Sequence, residues 1–128
     1  MADLMNWEIE RRDDPPLIWI RVRGSFDVGQ VKLIFAEIAE IKGSNAFIPI
    51  LIDDREADLS DLQSVDLLAL GDLFMKSQVI FAYSKVAVLM NPGRDLDMAT
   101  RFQSITENKF VSFSIFSSEE RALEWLEG

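Results

Sequence analysis

The chain of 128 residues carries 22 acidic against 13 basic side chains, a formal charge of −9, and contains neither cysteine nor histidine. Those two absences exclude a cysteine nucleophile, a Ser-His-Asp triad, a histidine general base, disulfides, and the zinc and haem sites built on such ligands. The acidic balance argues against nucleic-acid binding, which needs a basic surface for phosphate contacts.

Residues 7–11, Trp7-Glu8-Ile9-Glu10-Arg11, alternate apolar and charged side chains, the period of a half-buried strand. Asp13-Asp14-Pro15-Pro16 reads as a turn, and the β-branched and aromatic run 17–23 as a second strand, so the two predict an antiparallel hairpin closed by Gly24. Asp27 suits a helix N-cap, with Gln30 in capping-box position. Val31, Ile34, Phe35, Ile38 and Ile41 then repeat at helical spacing before Gly43, which suits a left-handed C-cap. The apolar run 47–52 predicts a third, buried strand with Pro49 near its start, followed by a loop. Ser60 with Gln63 makes a second capping-box match and opens a helix to about Gln78. Residues 85–90 predict a fourth strand, residues 95–108 a helix, and residues 111–116 a fifth strand with one thinly covered face. Ser117 with Glu120 caps a last helix that carries Ala122, Leu123, Trp125 and Leu126.

The element order is ββαβαβαβα. It predicts one α/β domain over residues 1–128, a mixed, mainly parallel five-stranded sheet with about four helices. Strands joined through helices are right-handed parallel crossovers, and the hairpin adds an antiparallel edge. The first residues show no secretory signal, and no apolar run approaches the roughly 20 residues of a membrane span. The expectation is a soluble cytoplasmic protein with membrane contact at most peripheral.

Ligands of open α/β sheets bind beyond the carboxyl ends of the strands, which directs attention to Asp53-Asp54-Arg55 and on to Ser60. From Asp53 to Asp72 the chain holds Asp53, Asp54, Glu56, Asp58, Asp61, Asp66 and Asp72 against the single base Arg55. Such a concentration reads either as a divalent-cation site or acidic docking surface, or as a solvated loop complementing a helix dipole. In the helix that follows, Leu62, Val65, Ala69 and Leu73 are expected to face the sheet. Leu67, Leu70 and Phe74 spread onto a flank, and Leu68 and Met75 lie further round. One face cannot bury them all, so the cover comes from neighbouring elements, a partner, a second copy in a homodimer, or a lipophilic ligand. The glycines of residues 24–29 lack the spacing of a dinucleotide fingerprint or P-loop. Asn91-Pro92-Gly93-Arg94 reads as a turn, with anion capture at Arg94 as the alternative.

The closing segment Phe116-Ser117-Ser118-Glu119-Glu120-Arg121-Ala122-Leu123-Glu124-Trp125-Leu126 resembles the carboxyl end of STAS-like proteins of the anti-sigma-factor-antagonist-like group. Ile52-Asp53-Asp54-Arg55, and the strand 85–90 followed by a helix bearing Phe102, are also similar, so the resemblance spans nearly the whole chain in element order. It implies a mixed sheet flanked by helices that acts by binding. Sigma-pathway antagonists carry a phosphorylatable serine in an Asp-Ser-Ser-Gly-like motif, and no such motif surrounds Ser60 or Ser64 here. Relatives without that serine resemble carriers of lipophilic molecules, akin to CRAL-TRIO domains.

Two classes of function follow. The first is a non-enzymatic binding or regulatory module without cofactor or metal, taking a protein partner or a lipophilic small molecule through Asp53, Asp54, Arg55, Ser60, Leu67, Leu70, Phe74 and Met75. In its partner-switching version Ser60 is the candidate phosphoacceptor. The second is a metal-dependent enzyme using Asp53, Asp54 and Asp58 as ligands. The first is the preferred expectation.

Overall fold

The computed structural model describes residues 4–43, 45, 47–81, 84–91 and 112–128. Strands β1 (Asn6–Asp13) and β2 (Pro16–Ser25) pair antiparallel, with Asn6 opposite Arg23 and Asp13 opposite Pro16. The predicted turn closes this hairpin at Asp14 and Pro15. Helix α1 (Val28–Lys42) is capped as its sequence requires: the Asp27 carboxylate accepts the Gly29 N–H at 2.9 Å. It ends at Gly43, whose φ of 55° suits a residue without a side chain. Its buried face is Val31, Ile34, Phe35 and Ile38.

Strand β3 (Ile50–Asp58) departs from the expectation. It starts after Pro49, which has no N–H to give the ladder, and continues through the acidic segment read above as a loop. The chain stays extended because β2 reaches equally far. Asp53 pairs with Arg21, and past a register irregularity Glu56, Ala57 and Asp58 pair with Arg23, Gly24 and Ser25. Charge complementarity holds this stretch, since the Arg23 guanidinium binds both Glu56 and Glu8.

The remaining elements are α2 (Ser64–Lys76), the single-turn α3 (Gln78–Phe81), β4 (Lys85–Leu89), β5 (Ser112–Phe116) and α4 (Glu119–Glu127). The helix predicted over residues 95–108 and the turn at Arg94 lie outside the described residues. The sheet order is β1-β2-β3-β4-β5, with β2 to β5 mutually parallel and the hairpin as the antiparallel edge. Helix α2 begins later than predicted. Ser60 donates its N–H and its hydroxyl to Asp58 Oδ1, at 3.0 and 2.6 Å, and so is occupied in a turn. The cap falls at Gln63, whose N–H donates to Asp66 Oδ2 at 2.9 Å. The cap of α4 is Ser118, one residue beyond the expected Ser117: its Oγ accepts the Arg121 N–H at 3.3 Å.

Strand alternation divides the core into two layers. Toward α1, α2 and α3, Ile18, Ile20, Ile50 and Val86 pack with Phe35, Phe74 and Phe81. Toward α4, Leu17, Trp19, Leu51, Ala87 and Leu89 pack with Ala122 and Leu126. Phe81 is fully buried, stacked on Phe74 and edge-on to Phe35, each at 4.9 Å between ring centroids. The buried Lys42 at the end of α1 donates its Nζ to the Ile80 carbonyl and anchors α3 there. On the other face Arg12 and Arg21 each sit 4.5 Å from the Trp19 ring centroid and roof it.

These contacts rank two substitutions. Phe81→Ala is expected to lower the unfolding free energy by about 3–5 kcal/mol in a urea titration, and Arg12→Ala by less than about 1 kcal/mol. The reverse order would place the main support on the wrong face of the sheet.

Candidate functional site

Because β3 is extended through residues 53–55, Asp53 and Arg55 share one face and Asp54 takes the other. Asp53 is buried under α4, where its two oxygens hold the Arg55 guanidinium. Arg55 Nε lies 2.9 Å from Oδ1 and Nη2 lies 2.7 Å from Oδ2. The Arg55 N–H also donates to Oδ1 at 3.2 Å. Nη2 reaches on to Glu119 Oε1 in the first turn of α4, at 3.0 Å. Asn91, just past β4, donates its Nδ2 to the Arg55 carbonyl at 2.8 Å. The Asp-x-Arg segment is therefore a clamp joining β3 to α4 and to the end of β4.

Burial pushes the Asp53 carboxyl up, but the hydrogen bonds and charge of Arg55 outweigh it and hold the group below the usual carboxylate range. The buried Trp19 indole N–H also favours the anion, without reaching hydrogen-bond geometry. The Arg55 guanidinium is raised in turn, chiefly by its hydrogen bonds to Asp53. Such a pair binds helix to sheet and leaves no free carboxylate for chemistry.

Asp54 points the opposite way. It is buried, and lines an apolar cavity of about 80 Å³ between the sheet, α1 and α2. Phe35, Leu67, Leu70 and Phe74 form part of the wall, and Asp54 is the polar residue among those described there.

Helix α2 is rotated relative to the expected orientation. Leu67, Leu70 and Phe74, predicted for a flank, are its buried face together with Gly71, at the spacing i, i+3, i+4, i+7. Val65 and Ala69, predicted to face the sheet, are exposed, whereas Leu62 and Leu73 are half-buried. What selects the inward face is distant in sequence: Phe74 meets Phe35, Phe81 and Phe113. On the outside, Val65 is 68% exposed, Leu68 62% and Met75 40%, and Val79 in α3 reaches 86%.

The sequence-named residues thus divide among three places. Asp53 and Arg55 form the clamp, whereas Leu67, Leu70, Phe74 and Asp54 face the interior. Ser60 and Met75 lie on the surface. Among the described residues no group of three or more acidic side chains is arranged to hold a metal ion. Sequence reasoning missed Glu119 and Asn91, which complete the clamp, and Val79, which extends the outer row. An acidic first turn in α4 was the available signal for Glu119.

This architecture matches solved structures. An uncharacterised protein of the DUF3478 family with a SpoIIAA-like fold, from Shewanella loihica PV-4, is 22% identical, with 98% of this chain and 95% of that chain covered and a TM-score of 0.60. An anti-sigma factor antagonist from Mycobacterium paratuberculosis is 16% identical, with 98% of this chain and 96% of that one covered and a TM-score of 0.62. The chain therefore has the SpoIIAA-like fold of STAS-like domains. No family model matches it, and no curated protein does.

The clamp gives a pH-dependent prediction. The folded carboxyl of Asp53 lies below its unfolded value, so its stabilisation is complete above the unfolded pKa, about 4, and is lost as pH falls through the folded value. Asp53→Asn is expected to cost about 1–2 kcal/mol near neutrality, discounted for the partial exposure of Arg55. In urea titrations the gap from the parent stays constant above about pH 5 and narrows below about pH 4. A gap that widens in acid would contradict the clamp.

Proposed function

We propose that the protein is a non-enzymatic binding module that docks a protein partner on the outer face of α2 and α3. The observation that carries this reading is the row of exposed apolar side chains Val65, Leu68, Met75 and Val79. An ordinary solvated helix turns charge outward at such positions, and a contiguous apolar strip rimmed by polar groups marks an interaction surface. Asp72 and Lys76 form an exposed ion pair beside the row, so the partner that fits has an apolar seam with a mixed polar rim. The anti-sigma factor antagonist that shares this fold is named for its action on another protein, which agrees with the reading.

Volume weighs against a carrier of lipophilic molecules. The apolar cavity of about 80 Å³ is well short of the roughly 300–1,000 Å³ of small-molecule pockets. Filling it with an acyl chain would require Leu67, Leu70 and Phe74 to leave the core. Local chemistry weighs against a phosphoswitch at Ser60, because a phosphate there would meet the carboxylates of Asp58 and Asp61. Metal-dependent catalysis is disfavoured because β3 sends Asp53 and Asp54 to opposite faces.

A photo-crosslinking residue placed at Leu68 is expected to yield one discrete adduct with another polypeptide in cells, and the same group at the exposed Lys32 of α1 none. Equal labelling from both sites, or none from Leu68, would contradict the proposal. Leu68→Asp is expected to abolish the adduct formed from a crosslinker at Met75 while leaving the unfolding free energy within about 0.5 kcal/mol. Loss of binding through unfolding would be seen in that second measurement.

A further inference from the structure

We infer that the protein docks a basic peptide segment with an apolar anchor at the amino-terminal end of its parallel strands. The site is a groove between the β1–β2 turn and the carboxyl end of α4. It shares no residue with the outer row of α2 and α3, so the inference goes beyond that docking reading and stands apart from it.

The register of the sheet builds the groove. Ile18 pairs with Ile50, which sets Pro16 and Leu17 beside Ile48 and Pro49, and Leu123 and Leu126 of α4 close the third side. Its volume is about 480 Å³, several times that of the interior cavity and within the roughly 300–1,000 Å³ that ligand sites occupy. Leu17, Ile48 and Leu126 are buried and form the floor. Pro15 and Pro16 stand exposed on one side, and Phe47, 71% exposed, stands on another. Prolines bring apolar ring surface and no N–H, so these walls suit an apolar anchor and give an anion little to bind.

Charge fixes the sign of the occupant. The last turn of α4, Glu124-Trp125-Leu126-Glu127, holds two acids and no base, although the carboxyl end of a helix favours cations. Glu127 lines the groove from the α4 side, and the exposed Asp14 adjoins Pro15 on the hairpin side. Asp13 is matched by Arg11 at 3.4 Å. Lys85 reaches the helix end, where its Nζ donates to the Trp125 carbonyl at 2.9 Å. That leaves one base against the three acids Asp14, Glu124 and Glu127. Because these acids stand on both sides of the apolar floor, one ammonium group cannot meet them all. A chain with lysine or arginine on either side of its anchor does, and it also answers the unfavourable end of the helix dipole.

Fluorescence anisotropy of the full chain with a labelled, end-blocked heptapeptide, Leu-Phe-Leu flanked by two lysines on each side, tests the inference. The expected result is saturable binding with a Kd below about 1 mM that weakens as salt is added. Glutamates in place of the lysines abolish it, and a Ser-Gly-Ser centre between the same lysines weakens it by about tenfold or more. Glu124→Lys combined with Glu127→Lys is expected to weaken binding by about tenfold or more. The same variant unfolds at no lower urea concentration than the parent, because bases suit that end of a helix. Phe47→Ser, at an exposed position, is expected to weaken binding too and gives the same reading should the charge variant unfold early. Leu68→Asp leaves binding unchanged. No saturable binding up to about 1 mM, equal binding of the glutamate or Ser-Gly-Ser peptide, or groove variants that bind as the parent does would overturn the inference. Loss of binding in Leu68→Asp would overturn it as well, by moving the peptide to α2. The Leu68 crosslink reads the outer row alone, so either site can fail while the other stands.

Discussion

Much of this structure depends on β3 remaining extended over all its nine residues, well past the end of its apolar half. An extended chain points successive side chains to opposite faces, so the acidic segment cannot gather its carboxylates around one point. Asp53 and Arg55 go to the α4 side, where Arg55 binds both Asp53 and Glu119, while Asp54 goes to the α2 side and enters the wall of the cavity. Had the same residues formed a loop, the concentration of charge would have been free to act as a metal site. Pairing with β2 removes that freedom: the backbone ladder runs on to Ser25, and Arg23 binds Glu56 across it.

With the carboxylates committed to structure, the outer surface of α2 becomes the chemically distinctive part of the molecule. Its inner residues Leu67, Leu70 and Phe74 are spent on the core, where Phe74 joins Phe35, Phe81 and Phe113 in an aromatic cluster. Its outer residues Val65, Leu68 and Met75 are equally apolar and stay exposed. Burying a leucine or valine side chain is worth about 1.5–3 kcal/mol, so a row of them left in water is a standing drive toward association.

Features set by local chemistry were legible in the sequence. The hairpin followed from alternation and the Asp-Pro turn, the start of α1 from Asp27, and its buried face from the spacing of Val31, Ile34, Phe35 and Ile38. Features set by distant partners were not. Acidic residues are poor strand formers, and residues 53–58 stay in the sheet through their ladder with β2 and the Arg23–Glu56 pair across it. Ser60 was expected to cap α2 with Gln63 as its capping-box partner, but Asp58 takes both donors of Ser60 and the cap falls at Gln63. The rotational setting of α2 was ambiguous because apolar residues surround it, and aromatic rings from α1, α3 and β5 decide which of them turn inward. Of the site, Asp53 and Arg55 lie close in sequence and were named as binding residues, whereas the clamp they form also depends on Glu119, far along the chain.

The central claim is that α2 holds the fold with one face and meets partners with the other, and two adjacent leucines test it. Urea unfolding of Leu67→Ala and Leu68→Ala, measured side by side, is predicted to show a loss of about 2–4 kcal/mol for the first and under about 0.5 kcal/mol for the second. Equal losses, or a larger loss at Leu68, would contradict the division of the helix on which the account stands.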